Sequence, residues 1–241
     1  MTTQLDNNVP IPGEEAPAAA PEVAKPKPKH RARRAKATAN PAASLLAALK
    51  FVAVAQKKTG TVQQQFGMIS GNWAAASNGV LTVATKVEED LAACPHTYQL
   101  IDALSKVGED LSITQLSPTS LAVVSGALRA LIPCVGFGDL GISGPDERCA
   151  VIDDRIKSAL ECVLPLSTDG AQHAHFAAVL LQSGSAVATN GHLLAEYWHG
   201  IDLPPMLIPK ASAVAIVKAG KALTGFGYSG SAATCWFEDD S

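Results

Sequence analysis

The sequence predicts an α+β fold of two tandem modules, each with two helices packed on antiparallel sheets, behind a disordered basic N-terminal tail. Three observations predict it. Segments with apolar residues at helical spacing alternate with short runs rich in Val, Leu and Ile. A helix-like stretch at Ser44–Lys58 recurs near Val151–Leu164, and Val83-Ala84-Thr85 recurs as Val187-Ala188-Thr189, both at an offset of about 104 residues. Composition also changes abruptly at Ser44.

Ahead of that point, Met1–Ala43 is rich in Pro, Ala, Glu and Lys and has no apolar period, so it is expected to be disordered. Within it, Lys25-Pro-Lys-Pro-Lys-His-Arg-Ala-Arg-Arg-Ala-Lys36 forms a solvated basic arm. The arm reads either as a solubilising tail or as a tether for nucleic acid, since clustered Lys and Arg bind phosphates by releasing counterions. About 200 residues remain, room for two modest domains: 44–135 and 149–241, the second C-terminally incomplete, joined by a linker at 136–148. With 47% hydrophobic residues the chain can bury a real core, but 5% aromatic content means that Ala, Val, Leu and Ile must fill it.

The first module opens on a helix at Ser44–Lys58, with Ser44 as N-cap and Leu45, Leu46, Leu49, Val52 and Ala53 on one face. Phe66–Ile69 and Val80–Thr85 read as strands, with Ser77-Asn78-Gly79 as a hairpin turn between them. His96–Val107 is a second amphipathic helix ending near Gly108. Strands follow at Leu111–Leu116, Ser120–Ser125 and Leu128–Val135. After the Gly-rich connector Gly136–Pro145, the second module repeats the order: helix Val151–Leu164, strands near Phe176–Leu181 and Ala186–Ala195, and helix Pro209–Leu223 with Pro209 in its first turn. Only about 18 residues remain beyond it, enough for two strands where the first module has three.

No apolar run reaches the 18 residues of a membrane span, since Leu45–Ala55 is short and carries Lys50. The N-terminus lacks the order of a secretory signal. Cys94, Cys134, Cys149, Cys162 and Cys235 are odd in number, scattered and without a CxxC pair, which fits reduced thiols in the cytoplasm.

Net charge is −3, but its distribution is uneven. The first 43 residues carry seven basic and four acidic side chains, the rest twelve basic and eighteen acidic, so a +3 tail precedes a −6 body. Within the body the four expected helices hold Lys50, Lys57, Lys58, Lys106, Arg155, Lys157, Lys210, Lys218 and Lys221 against Asp102, Asp153, Asp154 and Glu161. Lys50 with Lys57, and Lys218 with Lys221, stand at spacings that share a helix side. Surface helices favour Lys in any case. The sharper reading is a basic helical face that attracts a phosphate backbone without reading bases.

Val187-Ala-Thr-Asn-Gly-His-Leu-Leu-Ala195, followed by Leu207-Ile-Pro-Lys-Ala-Ser-Ala-Val214, resembles the middle domain of the bacterial sliding clamp, the beta subunit of DNA polymerase III. There the pattern is Ala-Thr-Asp-Gly-His-Arg-Leu-Ala, then an apolar pair, Pro, a basic residue and a helix. The first module is similar to the clamp's N-terminal domain through its opening helix, Asn78-Gly79-Val-Leu-Thr-Val-Ala-Thr85 with Glu88-Glu89-Asp90, and Val124-Ser125-Gly126-Ala-Leu-Arg129. The resemblance covers about Ser44–Phe237.

It implies tandem clamp-type domains whose helices line a ring around duplex DNA and whose sheets form the outer wall. Bacterial clamps close six domains from two three-domain chains, and some phage clamps from three two-domain chains, so self-association into a dimer or trimer is implied. The implied function is a non-enzymatic processivity factor that tethers a DNA polymerase and is placed by a clamp loader, both engaging through short peptides. The channel would be faced by Lys50, Lys57, Lys58, Lys106, Arg155, Lys157, Lys218 and Lys221. The peptide pocket would comprise Phe176, Thr189, Gly191, His192, Leu194, Pro209 and Val214. Here Leu193 replaces the motif's Arg and Asn190 its Asp. The alternative is a clamp-like interaction or decoy module that binds replication peptides without encircling DNA.

Other sites are weaker. His173-x-His175 with His192 lacks a Cys or carboxylate spaced to complete a metal site, so no metal is expected. Cys94-Pro95-His96 would be a poor thiol–base pair, because sequence neighbours rarely present that geometry. Trp198 and Trp236 read as sheet-face packing. Gly136–Gly144 lacks a Walker ending, so no nucleotide or other cofactor is expected.

Overall fold

The computed structural model describes residues 41–108, 110–169, 173–229 and 232–241. The basic arm and most of the expected tail lie outside the described residues. The observed fold is α+β with antiparallel sheets throughout.

Helix α1 (Ala43–Val52) buries Leu45, Ala48, Leu49 and Val52, the face that its apolar spacing predicts. It begins two residues earlier than Ser44 would cap, with Ala42 at the N-cap. It ends in a 3₁₀ turn at Ala53–Ala55 and does not reach Lys58. The chain leaves the helix because Gln56 turns extended and its side-chain amide donates to the Phe66 carbonyl at 2.8 Å. A single helical turn, α2 (Val62–Gln65), follows behind a Thr61–Gln64 capping box.

Three strands form the first sheet in the order β1-β2-β3: β1 (Met68–Ser70), β2 (Trp73–Ser77) and β3 (Thr82–Lys86). Strand β2 is absent from the sequence expectation. Its Ala-Ala-Ala run has no β-branched alternation, and Ala74 through Ser77 are all buried. Gly71-Asn72, both at positive φ, makes the extra turn. Strand β4 (Cys94–Pro95) leads into α3 (Thr97–Ser105), capped by the His96 side chain. Strands β5 (Ser112–Ser117), β6 (Ser120–Ser125) and β7 (Leu128–Val135) complete a second sheet, order β4-β7-β6-β5.

After the connector, β8 (Arg148–Ala150) precedes α4 (Arg155–Val163), four residues shorter at its start than expected because Asp153 and Asp154 stand before it. Strands β9 (Ala178–Gln182), β10 (Ser185–Thr189), β11 (Leu194–Trp198) and β12 (Met206–Pro209) form a sheet of order β11-β10-β9-β12. The expected strand Ala186–Ala195 is thus two strands, folded back at Asn190-Gly191. Phe176 sits in a 3₁₀ turn ahead of β9, not in a strand. Helix α5 (Lys210–Lys218) starts just after Pro209, which stands at the N-cap position without a side-chain cap and not inside the first turn, and it stops five residues short of Leu223. Strands β13 (Leu223–Tyr228) and β14 (Ala233–Phe237) form the last sheet, order β14-β13-β8.

The internal repeat is real, but its register differs from the one that the sequence suggests. Val83-Ala84-Thr85 lies in β3, the third strand of its sheet, whereas Val187-Ala188-Thr189 lies in β10, a second strand. The equivalent points are the two hairpin turns, Asn78-Gly79 and Asn190-Gly191, 112 residues apart. Asn78 Oδ1 accepts from the Val80 and Leu81 amides, and Asn190 Oδ1 from those of His192 and Leu193, all at 2.8–3.0 Å. Gly79 and Gly191 adopt φ of 86° and 88°. Both turns pin a register, and through it the face that each strand buries.

Two apolar clusters fill the fold. Leu45, Leu49, Ile69, Leu100, Leu104, Leu121 and Ile132 belong to one, and Ile156, Leu160, Val179, Leu181, Ile208 and Phe226 to the other. Phe51 packs against both.

Candidate functional site

The basic residues divide by what holds them. Lys50, Lys57 and Lys218 are exposed and carry no ion pair among the described residues; Lys50 and Lys218 sit at the ends of α1 and α5. Lys57 and Lys58 lie beyond the end of α1, and Lys221 beyond that of α5, so the expected shared helix sides do not form. Lys58 and Lys106 line one shallow depression with Tyr98, Gln99 and Leu131. Lys106 is paired with Asp102 at 2.6 Å, and Arg155 with Asp153 at 3.0 Å. Helix α1 packs on α3, and α4 on α5, so each half presents a helix pair.

Lys157 and Lys221 are half-buried and engaged within the chain. Lys157 Nζ lies 3.2 Å from Asp154, donates to the Lys221 carbonyl and stands over the Phe237 ring. Lys221 crosses between the halves. Its ammonium donates to Asp239 at 2.6 Å and to the Ser241 and Thr85 hydroxyls, and lies 4.0 Å from the centre of the Phe51 ring. Burial tends to raise the Asp239 pKa, but Lys221 and the Ser241 hydroxyl and amide outweigh it and hold the carboxyl at about 2. Asp240 bridges Lys86 of β3 and Arg148 of β8 at 3.0 and 2.6 Å. The junction therefore joins α1 and β3 of the first half to the end of α5 and the residues after β14. The sequence gives little warning of it, because its partners are up to 190 positions apart (Phe51 to Ser241).

Of the seven expected pocket residues, Thr189, Leu194 and Pro209 lie at one end of one sheet, Gly191 and His192 in the turn beside it, and Phe176 against Gly191, while Val214 lies in α5. Thr189 pairs with Leu194 and Ala178 with Pro209, while Val187 pairs with Leu180 and so brings the Thr189 end of β10 beside the start of β9. Thr189 Oγ1 donates to the Leu193 carbonyl and accepts from the Gly191 amide. Gly191 must be glycine twice over: its φ is positive, and a Cβ would stand 3.2 Å from the Phe176 ring. His175 packs edge-on against Phe176, and His173 stacks on His175. Lys210 Nζ ties the start of α5 to the Ser167 carbonyl and Asp169 at 2.9 Å. Leu193, Leu194 and Leu207 are exposed apolar side chains, and His192 and Pro209 are exposed as well. Val214 is half-buried one turn into α5.

Trp198 is not a packed sheet-face residue. It is 72% exposed on edge strand β11, with its ring laid over Gly184. Trp236 instead packs over Gly227 and under the Arg148 guanidinium. Cys94 is buried, which pushes its thiol up to about 11, and the His96 side chain caps α3; no nucleophile is built there. Among the described residues no group of three His, Cys, Asp or Glu could hold a metal ion.

This arrangement of helix pairs and antiparallel sheets is that of bacterial DNA sliding clamps. A Eubacterium rectale protein assigned as a DNA polymerase III beta subunit superposes with a TM-score of 0.68 at 14% identity, over 82% of this chain and 61% of that one. The C. crescentus beta sliding clamp gives 0.64 at 17%, over 78% and 58%. The Helicobacter pylori beta clamp, solved bound to a DNA ligase peptide, gives 0.63 at 13%, over 80% and 62%. The chain spans about three-fifths of the length of these clamps. No protein-family model matches it, and no curated protein matches it by sequence. At these identities the likeness establishes the fold.

Proposed function

We propose that the chain is a non-enzymatic sliding clamp: it closes head-to-tail into a ring around duplex DNA in the cytoplasm and tethers a DNA polymerase and a clamp loader through short peptides. The two domains are residues 44–135 and 149–241. The junction between the halves carries the reading. It mates the α1/β3 side of one half with the α5/β14 side of the other. The same two kinds of surface are left open at the far ends: α4 with edge strand β11 on one, and α3 with the free edge of β7 at Leu128–Ile132 on the other. Exposed Leu194, Tyr197 and Trp198 mark the first, and Leu131 the second. Joining unlike surfaces of identical copies generates a ring when the rotation closes.

In such a ring Lys50, Lys57, Lys58 and Lys218 face the DNA as free cations. Lys106 and Arg155 do so beside neutralising acids, and Lys157 and Lys221 brace the wall from within. Enclosure needs no tight grip and no base contacts, because topology retains the protein. The row of Phe176, Thr189, Gly191, His192, Leu194, Pro209 and Val214 takes one or two apolar anchors of a partner peptide, burial of which supplies most of the affinity.

The test is retention on DNA. Circular duplex should hold the loaded protein, and linearisation should release it, whereas Trp198→Glu should yield monomers that circles do not retain. Equal retention on both forms ends the enclosure reading. A stable wild-type monomer with peptide affinity would favour the non-encircling interaction module.

A further inference from the structure

Sheet β11-β10-β9-β12 is apolar on both faces. Val179, Leu181, Ala186, Ala188 and Ile208 are buried in the second apolar cluster. Side chains alternate along a strand, so Leu180, Val187 and Leu207 point away from that cluster, and none of the three belongs to either core. Leu207 pairs with Leu180, Leu180 with Val187 and Val187 with Glu196, which makes one row across all four strands. Two residues along the outer strands, Pro209 and Leu194 stand on the same face, so the row runs on into the expected peptide pocket. Leu207 is 52% and Leu194 67% exposed, while Leu180 and Val187 are half-buried. A contiguous apolar face of this kind marks a binding surface.

Glu196 is the one charged residue among these positions. It lies between Leu194 and Trp198 on the exposed side of β11, and its carboxylate has no ion pair or hydrogen bond among the described residues. A partner that covers the row takes water from that carboxylate, and a carboxylate drawn out of water needs a cation within reach. The adjoining elements have none to spare. Lys210, at the start of α5, is held by Asp169 and the Ser167 carbonyl, and Arg155, beside Gly200, is held by Asp153. Asp202, which accepts from the Ser183 hydroxyl, adds a further acid beyond β11.

We infer that this face receives a short partner segment in which a Lys or Arg stands beside apolar residues: the apolar side chains lie on Leu180, Val187, Leu194 and Leu207, and the cation meets Glu196. The inference rests on the peptide-pocket reading and narrows it to the chemistry of the peptide. An acidic segment would set like charges together, and a phosphate backbone would do the same. A second copy is disfavoured because the proposed subunit contact uses the edge of β11, which lies in the plane of the sheet, and leaves its face open.

The experiment measures binding of three fluorescein-labelled peptides to the full-length protein by anisotropy at low salt: Gly-Leu-Arg-Leu-Phe-Gly, the same peptide with Glu for Arg, and Gly-Ala-Arg-Ala-Ala-Gly. The Arg peptide should bind about 10-fold more tightly than the Glu peptide, since an attraction is exchanged for a repulsion at one partly exposed pair. The Ala peptide should not bind. Glu196→Lys should reverse the order of the first two, which separates contact at Glu196 from the general pull of an acidic body. Leu207→Glu should weaken both apolar peptides and leave the sedimentation of the protein unchanged. Equal binding of the Arg and Glu peptides, or an order that Glu196→Lys does not alter, overturns the inference and leaves the pocket reading standing. Failure of both apolar peptides to bind overturns the two together. Loss of assembly in Leu207→Glu would give the face to a second copy and also overturn the inference.

Discussion

At the scale of single residues, the joint between the halves turns on one ammonium group. Lys221 meets a carboxylate, two hydroxyls and an aromatic face, so Lys221→Ala should cost about 2 kcal/mol in urea unfolding. A loss under about 0.5 kcal/mol would mean that these contacts are exchanged for water at no cost. Acid should weaken the fold in two stages. Burial lowers the pKa of His199, although the Ser185 and Gln182 carbonyls pull the other way. The unfolded chain therefore takes up a proton near pH 6.5 that the folded chain resists, and stability should fall as pH drops below about 6.5. Asp239 is depressed from 3.8 to about 2, so its contribution is present above pH 4 and is lost as pH falls from there toward 2. His199→Asn should flatten the upper stage and leave the lower one, as followed by urea midpoints across pH 3–7.

At the scale of elements, the paired turns make the repeat testable. Asn78→Ala and Asn190→Ala each remove two backbone-capping hydrogen bonds of the same geometry. Each should cost about 1 kcal/mol, with similar losses in chemical denaturation. Widely unequal losses would show that one hairpin is held by its surroundings and not by its turn. The sequence made these turns legible because Asn-Gly has few other uses between apolar runs. It also showed α1, α3 and α4 through their apolar faces, and β5 to β7 through their turns. Strand β2 escaped because Ala carries no strand signal, and the true 112-residue offset was hidden behind a chance recurrence of Val-Ala-Thr. The hairpin at Thr189–Leu194 was legible through the Thr-Asn-Gly-His segment, but nothing local tells Phe176 that it will lie over Gly191. The junction could not be read at all, because ion pairs between distant loops leave no periodic trace.

At the scale of the whole molecule, fold and charge point in different directions. The architecture is that of the sliding clamps among its solved neighbours, yet the folded body here is acidic and holds most of its cations in its own ion pairs. Placing Glu at Leu131 should abolish assembly as completely as Trp198→Glu, since the two side chains mark opposite ends of one proposed interface; sedimentation velocity would read it. Mixing the two variants should not restore closed rings, because every ring would still contain a damaged contact.

One practical consequence follows from the position of Asp239 and Asp240, whose partly exposed carboxylates pair with Lys221, Lys86 and Arg148 at the seam between the halves. Water reaches these pairs, so concentrated salt should loosen the seam well before it disturbs either apolar cluster.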